Sequence, residues 1–378
     1  ATDVIAMRLD GSRAALQLRD NPFYAESGGQ VSDHGVVQGD GWSMVVEDVR
    51  KVAGRSAVIG QVTGTLPQTT KPFRVRGMVE SVARRDTQRN HTATHLLQAA
   101  LRQVLGDHVV QRGSLVAPDR LRFDFTHTKP MTPAEIRRVE EIVNEGVQRD
   151  LDIDIGQSTY PEAVARGAMA LFGEKYGDVV RVVTVPDVSI ELCGGTHVRH
   201  TGDIGVFRIV SESGVAAGIR RIEAVTGSAA YRRAVEQEDL LRQVSTALKT
   251  TPDSLLRRVE QINEENRELR RQLEKARTQG SSDIVGDLIK GATDVDGVLV
   301  IAREVEVGTA DELRMLGDNL RNQMKTGAAI LAARQQGRVS LFAVVTDDLV
   351  KRGVRADKFL RDIATLTGGS GGGKPHMA

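Results

Sequence analysis

The sequence predicts a multidomain α+β protein, and three observations support this fold class. The chain has 378 residues, enough for two or three domains. Short strand patterns fill its N-terminal region, and helical and strand patterns alternate afterwards. A long charged helical pattern precedes the C-terminal region. We therefore expect a small β-barrel, an α+β domain, a helical hairpin or coiled-coil linker, and a small α/β C-terminal domain.

Residues 1–82 are expected to form a β-rich barrel or a sandwich. Short strand candidates, some alternating between apolar and polar residues, are separated by Gly and Asp and lie at residues 4–7, 14–18, 43–46 and 73–79. The loop at residues 23–35 contains several glycines, so its backbone N–H groups could approach an oxygen-rich ligand. The same pattern is also typical of an ordinary turn.

Residues 83–228 are expected to form an α+β domain. Apolar residues between 86 and 105 recur at helical spacing on one face, namely Ala93, Leu96, Leu97, Ala100, Leu101, Val104 and Leu105. Thr132 and Pro133 predict the start of a second helix that runs to about residue 148. Further strands are predicted at residues 121–125, 179–185 and 205–211.

Two residue pairs in this domain have the spacing of metal ligands. His91 and His95 lie four apart on the predicted helix, so their side chains share one face. Cys193 and His197 flank two glycines that permit a tight turn. Each pair alone is more often a surface feature or, for the cysteine, buried filler. Together they predict a zinc site, because Cys and His are the commonest zinc ligands.

Residues 229–278 are expected to be helical, followed by an α/β unit at 281–378. Leu255, Val259, Ile262, Leu269 and Leu273 have heptad spacing, and Thr251 and Pro252 indicate the helix start. An intermolecular coiled coil and an intramolecular hairpin fit this pattern equally. Strands are predicted at 298–302, 328–333 and 340–345, with helices opening at Thr309 and near Arg355. The glycine-rich sequence at 368–373 resembles the phosphate-binding loop motif, but Pro375 stands where that motif requires Ser or Thr.

Composition restricts the function classes. A single cysteine excludes a disulfide framework and suits a reducing compartment such as the cytoplasm. We expect no membrane association, because no apolar run is long enough to span a bilayer. The net charge of +1 does not indicate nucleic acid, and 3% aromatic residues argue against a base-stacking platform. Clustered arginines such as Arg220 and Arg221 fit phosphate contacts or a solvated face.

Several motifs together resemble the editing half of alanyl-tRNA synthetase. They lie at residues 23–35, 89–95, 111–116, 193–197 and 218–227, and residues 368–375 resemble that family's C-terminal domain. Freestanding editing relatives share the two ligand pairs, but the heptads and the glycine-rich tail favour the synthetase. The chain begins without Met and shows no ATP-binding signature, so we expect a C-terminal fragment. ATP and Mg²⁺ would serve only the aminoacylation module, which is absent from this sequence.

The resemblance implies a zinc-dependent editing domain at 83–228 and a tRNA-binding and dimerisation domain at 281–378. Its substrate would be tRNA(Ala) mischarged with Ser or Gly, whose ester it hydrolyses, while the full-length enzyme ligates alanine to tRNA(Ala) with ATP. A homodimer through the C-terminal region is a further expectation. The implied residues are the ligands of one Zn²⁺, His91, His95, Cys193 and His197; the catalytic residues Thr94, Gln111 and Cys193; and the substrate-binding residues Ser27, Gly28, Gly29, Gln30, Arg220 and Arg221.

Two alternatives stay open from the residues themselves. Four protein ligands would make a closed structural zinc site, whereas three ligands and a water would make a catalytic one. The chain could accordingly be a non-catalytic tRNA-binding and dimerisation module with a structural zinc. A phosphoesterase is disfavoured, because it would need an Asp-His-His metal cluster and the sequence contains no such tripeptide.

Overall fold

The structure, a computed structural model, describes residues 1–52, 54–169, 177–335, 338–366 and 370–378. These residues divide into two units, unit 1 (Ala1–Gln243) and unit 2 (Val244–Ala378). The expected multidomain α+β class is confirmed, because unit 1 contains a closed barrel, two further sheets and helices, and unit 2 contains a sheet with helices. No helix in the described part of the chain is both long and apolar enough to cross a membrane.

Six antiparallel strands close into a barrel at the start of unit 1, in the order β1-β2-β5-β4-β3-β6. They are β1 (Thr2–Asp10), β2 (Arg13–Leu18), β3 (Gly35–Gly39), β4 (Trp42–Val52), β5 (Arg55–Gly64) and β6 (Phe73–Val79). Alternate residues point inward along each strand, which places Leu16, Val37, Met44 and Val58 in a fully buried core. The barrel is therefore the correct one of the two architectures that the sequence allowed.

A long buried helix organises the rest of unit 1. It packs with a second helix and a four-stranded sheet of order β12-β13-β8-β7, around a core that includes Leu97, Leu101, Phe123, Phe125 and Val139. The elements are α1 (Ser81–Leu105), β7 (Gln111–Val116), β8 (Leu121–Thr126), α2 (Pro133–Gln148), β9 (Asp154–Thr159), α3 (Tyr160–Ala165), β10 (Val179–Val185), β11 (Ser189–Leu192), β12 (Phe207–Ala216), β13 (Ile219–Thr226) and α4 (Gly227–Ala247), of which the last four residues belong to unit 2. Strands β9, β10 and β11 form a separate sheet of order β11-β10-β9.

Three predicted boundaries in this region differ from the structure, and one of them is the end of β12, which continues to Ala216 rather than stopping at 211. Helix α1 begins at Ser81 rather than at residue 86, because Ser81 and Val82 are exposed and add nothing to the buried apolar face on which the prediction was based. Strand β12 begins at Phe207 rather than at 205, because Thr201–Ile204 forms a 3-10 turn that ends at Gly205. Helix α2 begins at Pro133 as predicted, with a reciprocal capping box between Thr132 and Glu135.

The glycine-rich loop between β2 and β3 is fixed against α1 and β7. The Asp33 carboxylate forms a two-point ion pair with Arg84 in the first turn of α1, and it also accepts the Tyr24 N–H at 2.6 Å. Gly28 and Gly29 have φ values of +59° and +83°, so they form the left-handed centre of a tight turn. A side chain on Gly29 would overlap Ser114, which explains why the loop can lie directly on β7.

Unit 2 is built on a mixed sheet of order β14-β15-β16-β17. Its elements are α5 (Leu255–Lys290), β14 (Thr293–Val295), β15 (Val298–Glu304), α6 (Ala310–Gln323), β16 (Gly327–Gln335), β17 (Arg338–Val345), α7 (Asp347–Lys351) and α8 (Ala356–Leu366). Strands β15 and β16 are parallel and are connected through α6, whereas the other two pairs are antiparallel. The three predicted strands and the helix capped by Thr309 are all present.

Two predictions in unit 2 need correction. Pro252 does not begin an α-helix, because Pro252–Ser254 forms a 3-10 turn and α5 starts at Leu255. The helix continues past residue 278 to Lys290, since Val285 and Leu288 in its last turns pack into the core of this unit. Of the glycine-rich tail, Gly368 and Gly369 lie outside the described residues. The coiled coil and the hairpin both stay predictions.

Candidate metal centre and adjoining cavity

Four predicted ligands from two distant segments meet at one point in unit 1. His91 and His95 come from the buried middle of α1, and Cys193 and His197 come from the segment directly after β11. Their donor atoms all lie within 4.8 Å of one another. The Cys193 Sγ atom is 3.4 Å from His91 Nε2 and 3.3 Å from His197 Nε2. The structure thus brings both sequence pairs together into one set of three nitrogens and one sulfur.

Gln30 from the glycine-rich loop fixes the orientation of His91. This fully buried amide accepts the Thr196 N–H through Oε1 at 2.9 Å and donates through Nε2 to Thr196 Oγ1 at 2.9 Å. Oε1 also lies 2.7 Å from His91 Nδ1, so His91 must donate from Nδ1. The lone pair of His91 then lies on Nε2, which faces Cys193.

Thr92 fixes His197 in the same way. Its hydroxyl donates to the Gln88 carbonyl at 2.9 Å, and its oxygen lies 3.1 Å from His197 Nδ1. Because the hydroxyl proton is directed to the carbonyl, His197 donates from Nδ1 and keeps its lone pair on Nε2. Two of the three imidazoles are therefore held in the tautomer that presents Nε2 to the centre.

Glu191 is a functional candidate that sequence reasoning missed. It lies on β11, two residues before Cys193, and its Oε2 is 3.5 Å from His95 Nε2. Among the described residues, Glu191 Oε1 and His95 Nδ1 are both buried without a hydrogen-bond partner. Residues two apart on a strand share a face, so an acid two positions before the cysteine was the available signal. Buried polar atoms without partners are rare and point to an additional ligand or water.

Burial keeps the imidazoles uncharged. It lowers the pKa of His91 to about 4, with a further contribution from the nearby Arg181 guanidinium. The pKa values of His95 and His197 fall well below the ordinary histidine value, mainly through burial and then through neighbouring histidines and Arg181. Burial also raises the pKa of the Glu191 carboxyl to about 8. Uncharged imidazoles retain the lone pair that a cation requires.

The turn that carries Cys193 is held by Arg181 and requires a glycine. One guanidinium nitrogen of Arg181 donates to the carbonyls of Cys193 and Gly195, both at 2.7 Å. A Cβ atom on Gly195 would overlap the His91 ring, whereas a Cβ on Gly194 would meet nothing within 4 Å. The close approach of backbone and imidazole therefore depends on Gly195.

One zinc ion fits this donor set. Three uncharged imidazoles and a thiol form a typical zinc environment, and their donor atoms all lie within 4.8 Å of one another.

A cavity of about 270 Å³ opens over the cluster. Of the residues predicted from sequence, it is lined by Ser27, Gly28, His91, Thr94, His95, Gln111 and Cys193. Thr94 donates its hydroxyl proton to the Asn90 carbonyl at 2.8 Å, so it can offer lone pairs to a ligand. The wall also contains Tyr24, Lys51 and Ser114, none of which the sequence singled out as site residues.

The remaining predicted residues lie elsewhere. Gly29 packs on Ser114 and Gln30 supports His91, so neither lines the cavity. Arg220 forms a two-point ion pair with Glu212 on β12 at 2.5 and 2.7 Å. Arg221 pairs in the same manner with Asp124 on β8, at 2.7 and 2.8 Å. These arginines connect sheet strands, and the structure does not bring them to this cavity.

Comparison with known proteins gives matches across the chain. Residues 180–223 match the family described as the threonyl and alanyl tRNA synthetase second additional domain, and residues 297–378 match the DHHA1 domain. A protein of Geobacillus thermodenitrificans named alanine–tRNA ligase is 47% identical over 97% of this chain and 42% of its own length. The ligase of Listeria innocua is 46% identical over 97% of this chain and 42% of its length.

The chain therefore spans about two fifths of the length of these relatives. Among solved structures, the C-Ala domain of Aquifex aeolicus alanyl-tRNA synthetase matches with a TM-score of 0.22 at 23% identity. That match covers 23% of this chain and 77% of the other.

Proposed function

Because the chain belongs to the alanyl-tRNA synthetase family, we propose that unit 1 hydrolyses the ester joining a wrongly attached serine or glycine to the 3′ end of tRNA(Ala). One observation carries the proposal: four metal-type donors from distant segments meet beside a cavity of about 270 Å³. A second, hydrolytic site is the general remedy when size alone discriminates by only roughly 1–3 kcal/mol. The ATP- and Mg²⁺-dependent ligation of alanine belongs, in this proposal, to a longer protein.

The donor set determines what a bound metal would add. A zinc ion held on all four of His91, His95, Cys193 and His197 would be a closed structural centre. If one of the four ligands gave way to the ester carbonyl, the ion would supply Lewis-acid polarisation of that carbonyl. The protein's own part is to keep those ligands oriented through Gln30 and Thr92 and to keep the Cys193 turn in place through Arg181.

Thr94 is the proposed contact for the serine side chain. Its proton is already donated to Asn90, so its oxygen can accept the hydroxyl proton of a seryl group. An alanyl group has no such donor and gains nothing from this contact. The contact bears on serine alone, because glycine also lacks the hydroxyl.

Gln111 and Glu191 complete the proposed polar lining of the cavity. The amide of Gln111 offers both donors and acceptors to the ester. The free Oε1 of Glu191 is a buried acceptor for a hydrogen bond from water or from the substrate ammonium group. Cys193 acts, in this proposal, as a ligand.

Incubation of the purified chain with Ser-, Gly- and Ala-tRNA(Ala) tests the proposal, with zinc content measured in parallel. We expect release of serine and glycine, sparing of alanine, and loss of hydrolysis when a chelator removes the metal. Binding of tRNA by the zinc-loaded chain without any ester cleavage would reject hydrolysis. That result would favour the non-catalytic tRNA-binding and dimerisation module with a structural zinc.

A further inference from the structure

Lys51 stands out among the residues on the cavity wall. It lies at the end of β4 in the barrel, where it pairs with Ser56 of β5, and its side chain is exposed. The neighbouring Arg50 is neutralised by Glu26 at 2.8 Å and by Asp48 at 2.7 Å. Within the described part of the chain, the Lys51 ammonium group has no acidic partner in hydrogen-bonding range. Lys51 therefore brings an unneutralised positive charge to the cavity.

The position of Lys51 determines which part of a ligand meets this charge. A volume of about 270 Å³ admits an aminoacyl group and its sugar, and the proposed function places the aminoacyl group beside the histidines. The buried end of the cavity carries His91, Thr94 and His95, whereas Lys51 is exposed and marks the open side. The phosphate of a bound nucleotide must then lie towards the open side.

Arg181 is the other permanent cation among the described lining residues, and it has a different structural role. Arg181 directs one guanidinium nitrogen to two carbonyls of the Cys193 turn, so it is a structural support for that turn. A compact ammonium group on a flexible stem, as in Lys51, is a common phosphate contact.

We infer that Lys51 binds the phosphate on the 5′ side of the terminal nucleotide and thereby makes this site selective for aminoacyl nucleotides over free amino acid esters. The inference rests on the proposed function, because it uses the same cavity and substrate. It assigns to the barrel a specificity residue for a reaction whose other groups come from α1, β7 and the segment after β11.

The test measures binding rather than hydrolysis. The probes are two stable amides, 3′-deoxy-3′-(L-seryl)aminoadenosine with and without a 5′-phosphate, titrated into the zinc-loaded chain. The phosphate should tighten binding to the unaltered protein roughly ten-fold, as expected for a charge-assisted contact. Lys51→Met should remove this gain and leave binding of the unphosphorylated probe unchanged. Lys51→Arg should keep most of the gain, and added salt should reduce it.

Lys71→Met is the matched control, because Lys71 is an exposed barrel lysine that does not line the cavity. It removes the same charge and should leave the gain from the phosphate intact. Equal binding of the two probes to the unaltered protein would overturn the inference, and so would an equal loss in Lys51→Met and Lys71→Met. The phosphate could tighten binding through Lys51 even if the protein cleaved no ester. That result would support this inference while rejecting the proposed hydrolysis.

Discussion

The side chains behind the ligands decide how the centre is built. Gln30 and Thr92 each accept a hydrogen bond from an imidazole Nδ1–H, which leaves the Nε2 lone pair free on His91 and His197. The spacing of the two ligand pairs predicted which residues would meet. The supporting residues could not be predicted, because Gln30 reaches His91 across 61 positions of sequence and no local period connects them.

Replacing Gln30 should weaken zinc binding. Gln30→Ala removes the acceptor for His91 Nδ1–H and the partner of the Thr196 N–H, so we expect a 10- to 100-fold loss of zinc affinity. Competition with a chromophoric chelator measures this loss. Gln38→Ala, at an exposed position of the same barrel, is the control and should bind zinc normally. Unchanged affinity in Gln30→Ala would show that the amide does not orient the ligand.

Replacing Thr94 should slow the hydrolysis of Ser-tRNA(Ala) selectively. Thr94→Val keeps the side-chain shape but removes the acceptor, so kcat/KM for Ser-tRNA(Ala) should fall about ten-fold while that for Gly-tRNA(Ala) stays unchanged. Thr87→Val is a close control, since Thr87 is also buried on α1 and donates to the Ala83 carbonyl at 2.8 Å, but it does not line the cavity. An equal loss for both substrates would contradict the proposed contact.

Two elements meet at the centre because of their local structure. Helix α1 presents two histidines one turn apart, and the glycine-containing segment after β11 returns a cysteine and a histidine to the same point. Helical periodicity predicted the first arrangement, and the paired glycines predicted the turn. The contribution of Arg181 was not predictable, because it depends on how the β11-β10-β9 sheet packs against α1.

The two glycines of the turn, Gly194 and Gly195, should differ sharply in how well they tolerate replacement by alanine. Gly195→Ala should displace the His91 ring or the turn and reduce both zinc affinity and stability, because its Cβ would overlap the imidazole. Gly194→Ala should be tolerated, since its Cβ meets nothing within 4 Å. Chelator competition and thermal unfolding of the two variants provide the comparison. Similar behaviour of both variants would mean that the close contact at Gly195 is not required.

At the scale of the molecule, the centre belongs entirely to unit 1, while unit 2 has its own core around the mixed sheet. The barrel and the α+β class followed from strand spacing and composition. The contact between the barrel loop and α1 did not, because the ion pair between Asp33 and Arg84 joins residues 51 positions apart. Motifs report the chemistry of a site, whereas packing between distant elements decides which further side chains reach it.

Removing the metal should destabilise unit 1 and leave unit 2 unchanged. Zinc binds only the folded site, so at a free concentration of 100 times Kd it contributes about 2.7 kcal/mol. For a unit of this size we expect chelation to lower the corresponding unfolding temperature by roughly 5–10 °C. Calorimetry with and without chelator measures the shift, and His91→Asn should abolish it. If chelation lowered the temperature of every unfolding transition equally, the result would contradict a metal site confined to unit 1.

X-ray absorption at the zinc edge of the metal-loaded chain tests the convergence of the two ligand pairs most directly. We expect one sulfur neighbour at about 2.3 Å and imidazole nitrogens at about 2.0–2.1 Å. The sulfur signal should disappear in Cys193→Ser while the imidazole signal remains. A spectrum of the unaltered protein with imidazole but no sulfur would show that Cys193 does not share an ion with the histidines of α1.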